Sequence, residues 1–441
     1  MNMQPTNEWQ CDRPVTVIIV GAGNRSMKYA AYALRHPERM RVVGVVDPDS
    51  LRRHNTAEKY GLTEEMCFES VERLVGLPKL ADAVINGTMD LMHVPTSLPL
   101  LRKGYDLMLE KPIGVSEAEV LELYDTATAH GCKVMVCHVL RYAPFYAEIQ
   151  KVVAEGGIGD IVHIQTEENV SYHHMATAFV RGKWGNTEIG GSSFLMAKCC
   201  HDLDLLTWFK SGSRPLKVSS FGRRSQFRAD KAPAGAGTRC LTDCKIEESC
   251  TYSAKKLYLD QPLWSGYVWP DHIHGVRLDP EQKRKLIETD SPYGRCVWKC
   301  DNDIVDHQAV LIEFADGSTA VHNLVGGTAK PSRTIHIIGT KGEIEGEMES
   351  GEFIIRTPDP RPNREYEVKR IKLNVSKDMH GGGDVRIVED FVNVVRGAAD
   401  SRFATSLDNS ILGHLCGFRA DASRLEGRTM TIGWKEAMPR P

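Results

Sequence analysis

An α/β fold, with a doubly wound parallel sheet at its N-terminal end, is what the sequence predicts, and three observations predict it. A β-branched run from Val15 to Val20 reads as a buried strand and leads into Gly21-Ala22-Gly23-Asn24-Arg25-Ser26 and an alanine-rich helix. A second apolar run, Arg41 to Val46, ends in an acid, Asp47. Strand-like and helical segments then keep alternating as far as CKVMVCHV, the pattern of a parallel sheet covered by helices.

The glycine spacing is that of a dinucleotide fingerprint with serine in the third glycine position. Gly21 makes the tight turn, and Gly23 lets the backbone approach a pyrophosphate seated at the helix N-terminus. Asn24 and Arg25 complete the cofactor-binding candidates of this turn. The triplet alone also suits a plain strand–helix turn. Strand, fingerprint, helix, strand and acid together point to a nicotinamide nucleotide. Asp47 lies about 20 residues past the fingerprint, where an acid binds the adenosine ribose hydroxyls. It favours NAD over NADP, because a 2′-phosphate would meet a carboxylate. Arg52 and Arg53 follow shortly and either receive that phosphate or are solvated helix charges, so NAD and NADP both stay open.

The remaining elements follow in order. ADAVINGT is a strand ending at Thr88, LPLLRKG is helical, and YDLMLEKP is strand then loop. SEAEVLELYDTATAHG is a helix ending in glycine, and CKVMVCHV is a strand. Ligands of such sheets bind at the carboxyl ends of the strands. Thr88, Glu110, Lys111 and His138 all fall at or near such ends.

The length of 441 residues suggests two or three domains. The net charge of −3 and the lack of a basic stripe argue against nucleic acid as a partner. No apolar run approaches the roughly 18 residues of a membrane helix. MNMQPTNEWQCDRP has no apolar export core, so the cysteines read as mostly reduced thiols in the cytoplasm.

Glu110-Lys111-Pro112 follows a strand end well downstream of the fingerprint. Taken with GAGNR, it resembles the glucose–fructose oxidoreductase / inositol dehydrogenase / MocA (Gfo/Idh/MocA) family. VINGTMDLMH, CHVLRYAPFY, GGSSFLMAKCCHDLDLL, HGGGDVRIVEDF and SILGHLCGFRADASRLEGR extend the resemblance over nearly the whole chain. The resemblance implies a flexible start (1–13), an NAD(P)-binding Rossmann domain (14–142) and an α+β domain (143–441). That second domain would have an open, mostly antiparallel sheet serving substrate binding and oligomerisation. It further implies an NAD(P)-dependent oxidoreductase that interconverts a hydroxyl and a ketone on a sugar, sugar derivative or cyclitol. A homo-oligomer paired through the open sheet face is expected on the same ground. Lys111 matches the family's lysine at the reacting centre; the other reading is a surface lysine in a loop.

FLMAKCCHDLDLL, residues 194–206, carries the most concentrated chemistry. The family's helix reads Asp-x-Gly-x-His-x-x-Asp. Here His201 and Asp204 keep the spacing, Ala197 and Cys199 replace Asp and Gly, and Lys198 stands between them. Lys198, His201 and Asp202 share one helix face. His201, with an intrinsic pKa near 6.5, can take the proton of a carbinol while Lys111 holds the developing alkoxide. If Lys198 also points into the cleft, two nearby ammoniums depress each other's pKa. Asp202 or Asp204 would orient the imidazole. The alternative is a satisfied core histidine with Lys198 reaching to water. Cys199-Cys200 reads as core packing rather than a redox pair, and no metal ligand is assigned to the reaction site.

Residues 223–303 form an insert rich in cysteines and aromatics. Cys240, Cys244, Cys250, Cys296 and Cys300 include three or four that could hold a structural Zn²⁺; free thiols or a disulfide are the other reading. Tyr252, Tyr258, Trp264, Tyr267 and Trp269 suit sugar stacking and core packing equally. A hairpin is predicted around Asp316-Gly317. Asp306 and His307 at its start face either the substrate or an edge. His380 is a substrate-contact candidate, and Asp384 is read as a helix N-cap. Two further functions fit the same motifs. One is a glycoside hydrolase that uses tightly held NAD in oxidation, elimination and hydration. The other is a non-catalytic nucleotide-binding protein.

Overall fold

The computed structural model describes residues 13–261, 263, 265–269, 278–374 and 380–433; the expected flexible start lies outside them except for Arg13. Strands β1 (Val15–Val20), β2 (Met40–Val46), β3 (Cys67–Phe68), β4 (Ala83–Asn86), β5 (Asp106–Leu109) and β6 (Val134–Val136) form one sheet. Its order is β3-β2-β1-β4-β5-β6, and every pairing is parallel. Alternate residues feed two separate cores. Ile18, Val20, Val84 and Leu107 pack on one side, and Val17, Ile19, Ala83, Ile85 and Met108 on the other. Burial on both faces is why these strands are continuous apolar runs. The order reverses between β1 and β4, which opens the crevice where ligands of such sheets bind.

The second sheet contains β7 (Ile161–Ser171), β8 (Pro215–Arg223), β9 (His307–Phe314), β10 (Thr319–Thr328), β11 (Ser332–Gly339), β12 (Glu343–Glu347), β13 (Glu352–Pro358), β14 (Tyr366–Lys372) and β15 (Met430–Thr431). The order is β14-β13-β12-β11-β7-β10-β9-β8-β15. The β7–β10 pair is parallel and the others are antiparallel. The predicted hairpin is β9–β10. On β9, Gln308, Val310, Ile312 and Phe314 are buried while His307, Ala309, Leu311 and Glu313 face outward. That outer face leaves Phe221 at 77 % and Leu311 at 48 % exposure. A shallow cavity of about 630 Å³ on it is lined by Phe221, His307 and Val325. So His307 does not turn inward. The Asp306 carboxylate is taken by the N–H groups of Ser225 and Gln226, at 2.7 and 2.6 Å.

In front of the inner face lies the predicted histidine helix, Phe194–Phe209. Ser193 caps it by accepting the Met196 N–H at 3.2 Å. All its residues except Lys198 are buried, so it is a core helix rather than one with a wet face. It packs on the helix Leu407–Glu426. The crossing is close because Gly413 lacks a side chain: a Cβ there would stand 2.9 Å from the Asp204 backbone. Among the described residues no helix is long and apolar enough to cross a membrane.

Candidate active site

The fingerprint turn is built as the glycines dictate. Gly21 has φ +77°, and a Cβ there would stand 2.9 Å from the backbone of Thr88. The end of β1 is thereby pressed against the end of β4. Thr88 itself donates from N–H and hydroxyl to Asn86 Oδ1, at 3.3 and 3.0 Å. The helix Asn24–Arg35 begins after Gly23 with no side-chain cap and no acid in its first turn. Its leading N–H groups are left for an anionic ligand. Asp47 is buried, and its carboxylate accepts the N–H of Ala22 at 2.8 Å and of Asp49 at 2.9 Å. Arg53 donates to the Asp47 carbonyl at 2.6 Å, and the Arg52 guanidinium stands 3.9 Å from the carboxylate. An uncapped helix N-terminus beside an enclosed acid at the end of β2 fits a dinucleotide.

Arg25 does not lie open on this turn. Its Nε donates to Glu110 Oε1 at 2.7 Å and its Nη2 to Asp384 Oδ1 at 2.7 Å. Tyr29 donates to Glu110 Oε1 at 2.7 Å, and the other Glu110 oxygen accepts the Lys111 N–H at 2.8 Å. Burial pushes the Glu110 carboxyl up, but Arg25 and Lys111 outweigh it and hold it below the usual range. Asp384 is not the expected N-cap. Gly382 occupies that position with φ +91°, and the helix runs Gly383–Val395. Asp384 sits in its first turn and spends its carboxylate on Arg25 and on His380 Nδ1, at 3.0 Å.

Lys111 and His201 meet on one turn of the histidine helix. Lys111 Nζ donates to the Ala197 carbonyl at 2.6 Å, four residues before His201. Burial works against the Lys111 charge, while Cys200, Glu110 and Asp90 favour it and leave its pKa raised. His201 goes the other way. Burial, then Lys111, His138 and His380, push it well below 6.5, so the imidazole is neutral at neutral pH. Its ring lies 5.6 Å from His138 and 5.7 Å from His380, centroid to centroid.

Neither aspartate orients His201. Asp204 forms a two-point pair with Arg141, at 2.7 and 2.6 Å, and Asp202 accepts from Arg333 Nε at 3.2 Å. His138, expected at a strand end facing the nucleotide, is fully enclosed. It stands 3.8 Å from Asp204 and 5.3 Å, ring to ring, from His414. His414 accepts the Ile113 N–H at 2.9 Å, which requires a bare Nε2.

Lys198 is not the second free ammonium of the cleft. Its Nζ pairs with Glu168 Oε1 at 2.9 Å, and Arg333 binds the other Glu168 oxygen. Burial pushes Glu168 up and the two cations bring it below its ordinary value. Asp202, beside the same pair, is pushed up to about 6 by burial. The expected shared face of Lys198 and Asp202 is therefore real, and Glu168 and Arg333 complete it. Cys199 and Cys200 are free buried thiols.

Sequence reasoning missed Glu168, Arg333, Asp90 and Trp184. Trp184 Nε1 donates to Asp90 at 3.3 Å, and its ring is 6.1 Å from that of Tyr267. Tyr267 keeps 38 % of its surface exposed, yet burial raises its phenol and the charges of Lys111 and Glu110 reach it. Tyr267 is thus half-open close to the Lys111 and Glu110 charges. Tyr252, Tyr258 and Trp269 are core residues, and Trp264 lies outside the described residues.

Residues 15–138 match the oxidoreductase family with an NAD-binding Rossmann fold, and residues 146–247 match the Gfo/Idh/MocA C-terminal domain. Together they span just over half of the chain. The chain belongs to the Gfo/Idh/MocA oxidoreductase family. This Gfo/Idh/MocA protein is 23 % identical to the oxidoreductase YteT of Bacillus subtilis over 361 residues, 79 % of this chain and 81 % of that one. It is 26 % identical to a trans-1,2-dihydrobenzene-1,2-diol dehydrogenase of Bos taurus over 261 residues, 56 % of this chain and 74 % of that one. A levoglucosan dehydrogenase solved with NADH shares the fold at TM-score 0.69 and 15 % identity, covering 96 % of this chain and 100 % of that one. A myo-inositol 2-dehydrogenase of Lactobacillus plantarum does so at 0.63 and 16 %, with the same coverage.

Proposed function

We propose that this Gfo/Idh/MocA protein is an NAD(P)-dependent dehydrogenase that interconverts a hydroxyl and a ketone on a sugar, sugar derivative or cyclitol. The meeting of a charged Lys111 with a neutral His201 on one helix turn, beside a turn fit for a dinucleotide, carries the reading. When bound, the nicotinamide accepts or returns the hydride. The chain supplies the proton chemistry. The Lys111 ammonium holds the oxygen that gains negative charge in the transition state. His201 takes the hydroxyl proton at Nε2, since Nδ1 is buried without a partner. Burial and the Lys111 charge oppose its protonation before substrate arrives, and His138 and His380 stand around the ring. Arg25 and Glu110 fix the segment that carries Lys111, so they position rather than react. Lys198, held by Glu168, offers its remaining donors to substrate hydroxyls, and Trp184 and Tyr267 offer ring faces.

Asp47 makes NAD the preferred cofactor, because its enclosed carboxylate opposes a 2′-phosphate. The levoglucosan and inositol dehydrogenases of like fold support the sugar or cyclitol class. The exposed apolar strip around Phe221 and Leu311 supports pairing of two copies through the outer sheet face; Phe221→Glu should shift the mass in solution toward a monomer.

The test is to follow nicotinamide absorbance with NAD and NADP against sugars, cyclitols and aryl glycosides. A substrate-dependent rise in reduced cofactor supports a dehydrogenase. Release of aglycone with no net change in cofactor would replace it with the redox-assisted glycoside hydrolase. No turnover and no nucleotide binding would remove both.

A further inference from the structure

The insert brings four cysteines from two separate loops around one void. Cys240, Cys244, Cys250 and Cys296 line it together with Arg181, Glu247, Tyr252 and Trp298, and its volume is about 10 Å³. That is the room of one water-sized sphere. An isolated antiparallel bridge, Arg239 with Arg295, sets Cys240 beside Cys296. Cys240 N–H reaches the Gly294 carbonyl at 3.0 Å, and Cys296 N–H the Thr238 carbonyl at 2.8 Å. None of the four is in a disulfide. Cys300 stands apart: it does not line the void, and its thiol donates to the Cys296 carbonyl at 3.3 Å.

Two features around the void ask for negative charge at these sulfurs. The first is Arg181, buried to 1 % exposure. Its guanidinium donates to the carbonyls of Arg295 and Tyr252, at 2.7 Å each, to the Tyr258 hydroxyl at 3.1 Å and to Cys240 Sγ at 3.5 Å. Among the described residues no carboxylate pairs with it. Glu247, which also lines the void, accepts from the Ser253 hydroxyl instead. A buried guanidinium with only neutral partners is costly and calls for a counter-anion. The second feature is a pair of N–H···S bonds. The backbone N–H of Tyr252 donates to Cys250 Sγ at 3.3 Å, and that of Trp298 donates to Cys296. Donors aimed at sulfur favour thiolate over thiol and are the usual outer support of a metal-bound cysteine.

The insert also needs a staple. Among its described residues from Ala229 to Gly294, the elements are short helical turns and a nine-residue helix, Pro280–Glu288. Little sheet pairing ties the first cysteine loop to the second. We propose that Cys240, Cys244, Cys250 and Cys296 bind a metal centre through four thiolates, as a single zinc ion or an iron–sulfur cluster. Either core leaves a net charge of about −2 when four thiolates bind it, which is the counter-anion Arg181 lacks. The four residues surround the void, and no three of their sulfurs close within the 4.8 Å at which Cys199, Asp202 and His322 meet. Zinc, at about 2.3 Å from each sulfur, therefore draws the two loops together, whereas a cluster uses the wider ring. The Cys199, Asp202 and His322 group is a poorer site, because Arg333 already holds Asp202 and would repel a cation.

The test is metal analysis and an absorption spectrum of the tag-free full chain purified without air and without added metal. About one zinc per chain, or about four irons with a visible thiolate-to-iron band, is the expected result and separates the two cores. Cys244→Ser should lose more than half of that metal, and Cys300→Ser should retain it. If Cys244→Ser does not fold, the metal content of the natural chain and of Cys300→Ser still decides. Less than about a tenth of an equivalent of either metal, with all four thiols open to a thiol reagent after unfolding without chelator, overturns the proposal.

Discussion

The Arg25 Nε stands 2.7 Å from Glu110 Oε1, so the fingerprint turn is tied to the Lys111 segment by one partly buried ion pair. The same guanidinium grips Asp384, 359 residues away. Removing the cation leaves two carboxylates facing one another in a poorly solvated site. Arg25→Met should therefore lower stability by roughly 2 kcal/mol, less than a fully buried pair because Arg25 is partly exposed. It should also raise the KM for the dinucleotide. Equal thermal midpoints for variant and natural chain contradict this.

Lys111 and Lys198 have different partners and should fail differently. In the proposed reaction, Lys111→Met removes the ammonium that holds the reacting oxygen and should lower kcat by about 10²–10³-fold. Lys198→Met leaves Glu168 facing Arg333 alone and deletes the donor proposed to face the substrate. It should raise KM by roughly tenfold with a smaller effect on kcat. Steady-state kinetics of the two variants check the split; equal loss of kcat in both contradicts it.

What could be read in the sequence, and what could not, follows the range of the interactions. Every strand of the parallel sheet named from its apolar run is present, because burial on both faces writes itself into consecutive residues. The histidine helix was equally legible, down to the common face of Lys198 and Asp202. The partners were not. Glu168 comes from β7 and Arg333 from β11, and helix periodicity says nothing about what another strand brings to a helix face. Asp384 was misread for the same reason: an acid after glycines looks like a cap until Arg25 arrives from the other end of the chain. His138 follows the end of β6 by two residues, near the strand end as expected, but the helix Leu407–Glu426 closes over it.

In the proposed enzyme, Asp47 sets cofactor choice by charge. Asp47→Ser removes the repulsion to a 2′-phosphate and leaves Arg52, now 3.9 Å from the carboxylate, free to pair with it. The ratio of kcat/KM for NADP to that for NAD should rise by about ten- to a hundredfold. An unchanged ratio removes Asp47 as the determinant.

Stability should fall on mild acidification, and buried histidines give the sign. An unfolded histidine takes a proton near 6.5. In the folded chain burial lowers His322 to about 4 and His414 to about 3, and pushes His138, His174 and His201 well below 6.5. Between these values the unfolded state binds more protons than the folded one, so stability is full above about 6.5 and is lost as pH falls below it. Each such histidine costs roughly 1.4 kcal/mol per pH unit in that window. Asp202, raised to about 6 by burial, works in the opposite sense, as do the raised carboxyls of Asp106, Asp204, Glu349, Asp400 and Asp421 where they reach into this window; His173 and His380, also lowered, add to the five histidines. The thermal midpoint should therefore drop steeply from pH 7 to pH 5. His414→Gln retains an acceptor for the Ile113 N–H and cannot titrate, so it should flatten that drop. The catalytic profile follows from the same shift: with His201 neutral well below 6.5, the acid limb of kcat/KM should lie below that value. A midpoint independent of pH over this range, or an acid limb above 6.5, would mean that these rings are charged in the folded chain.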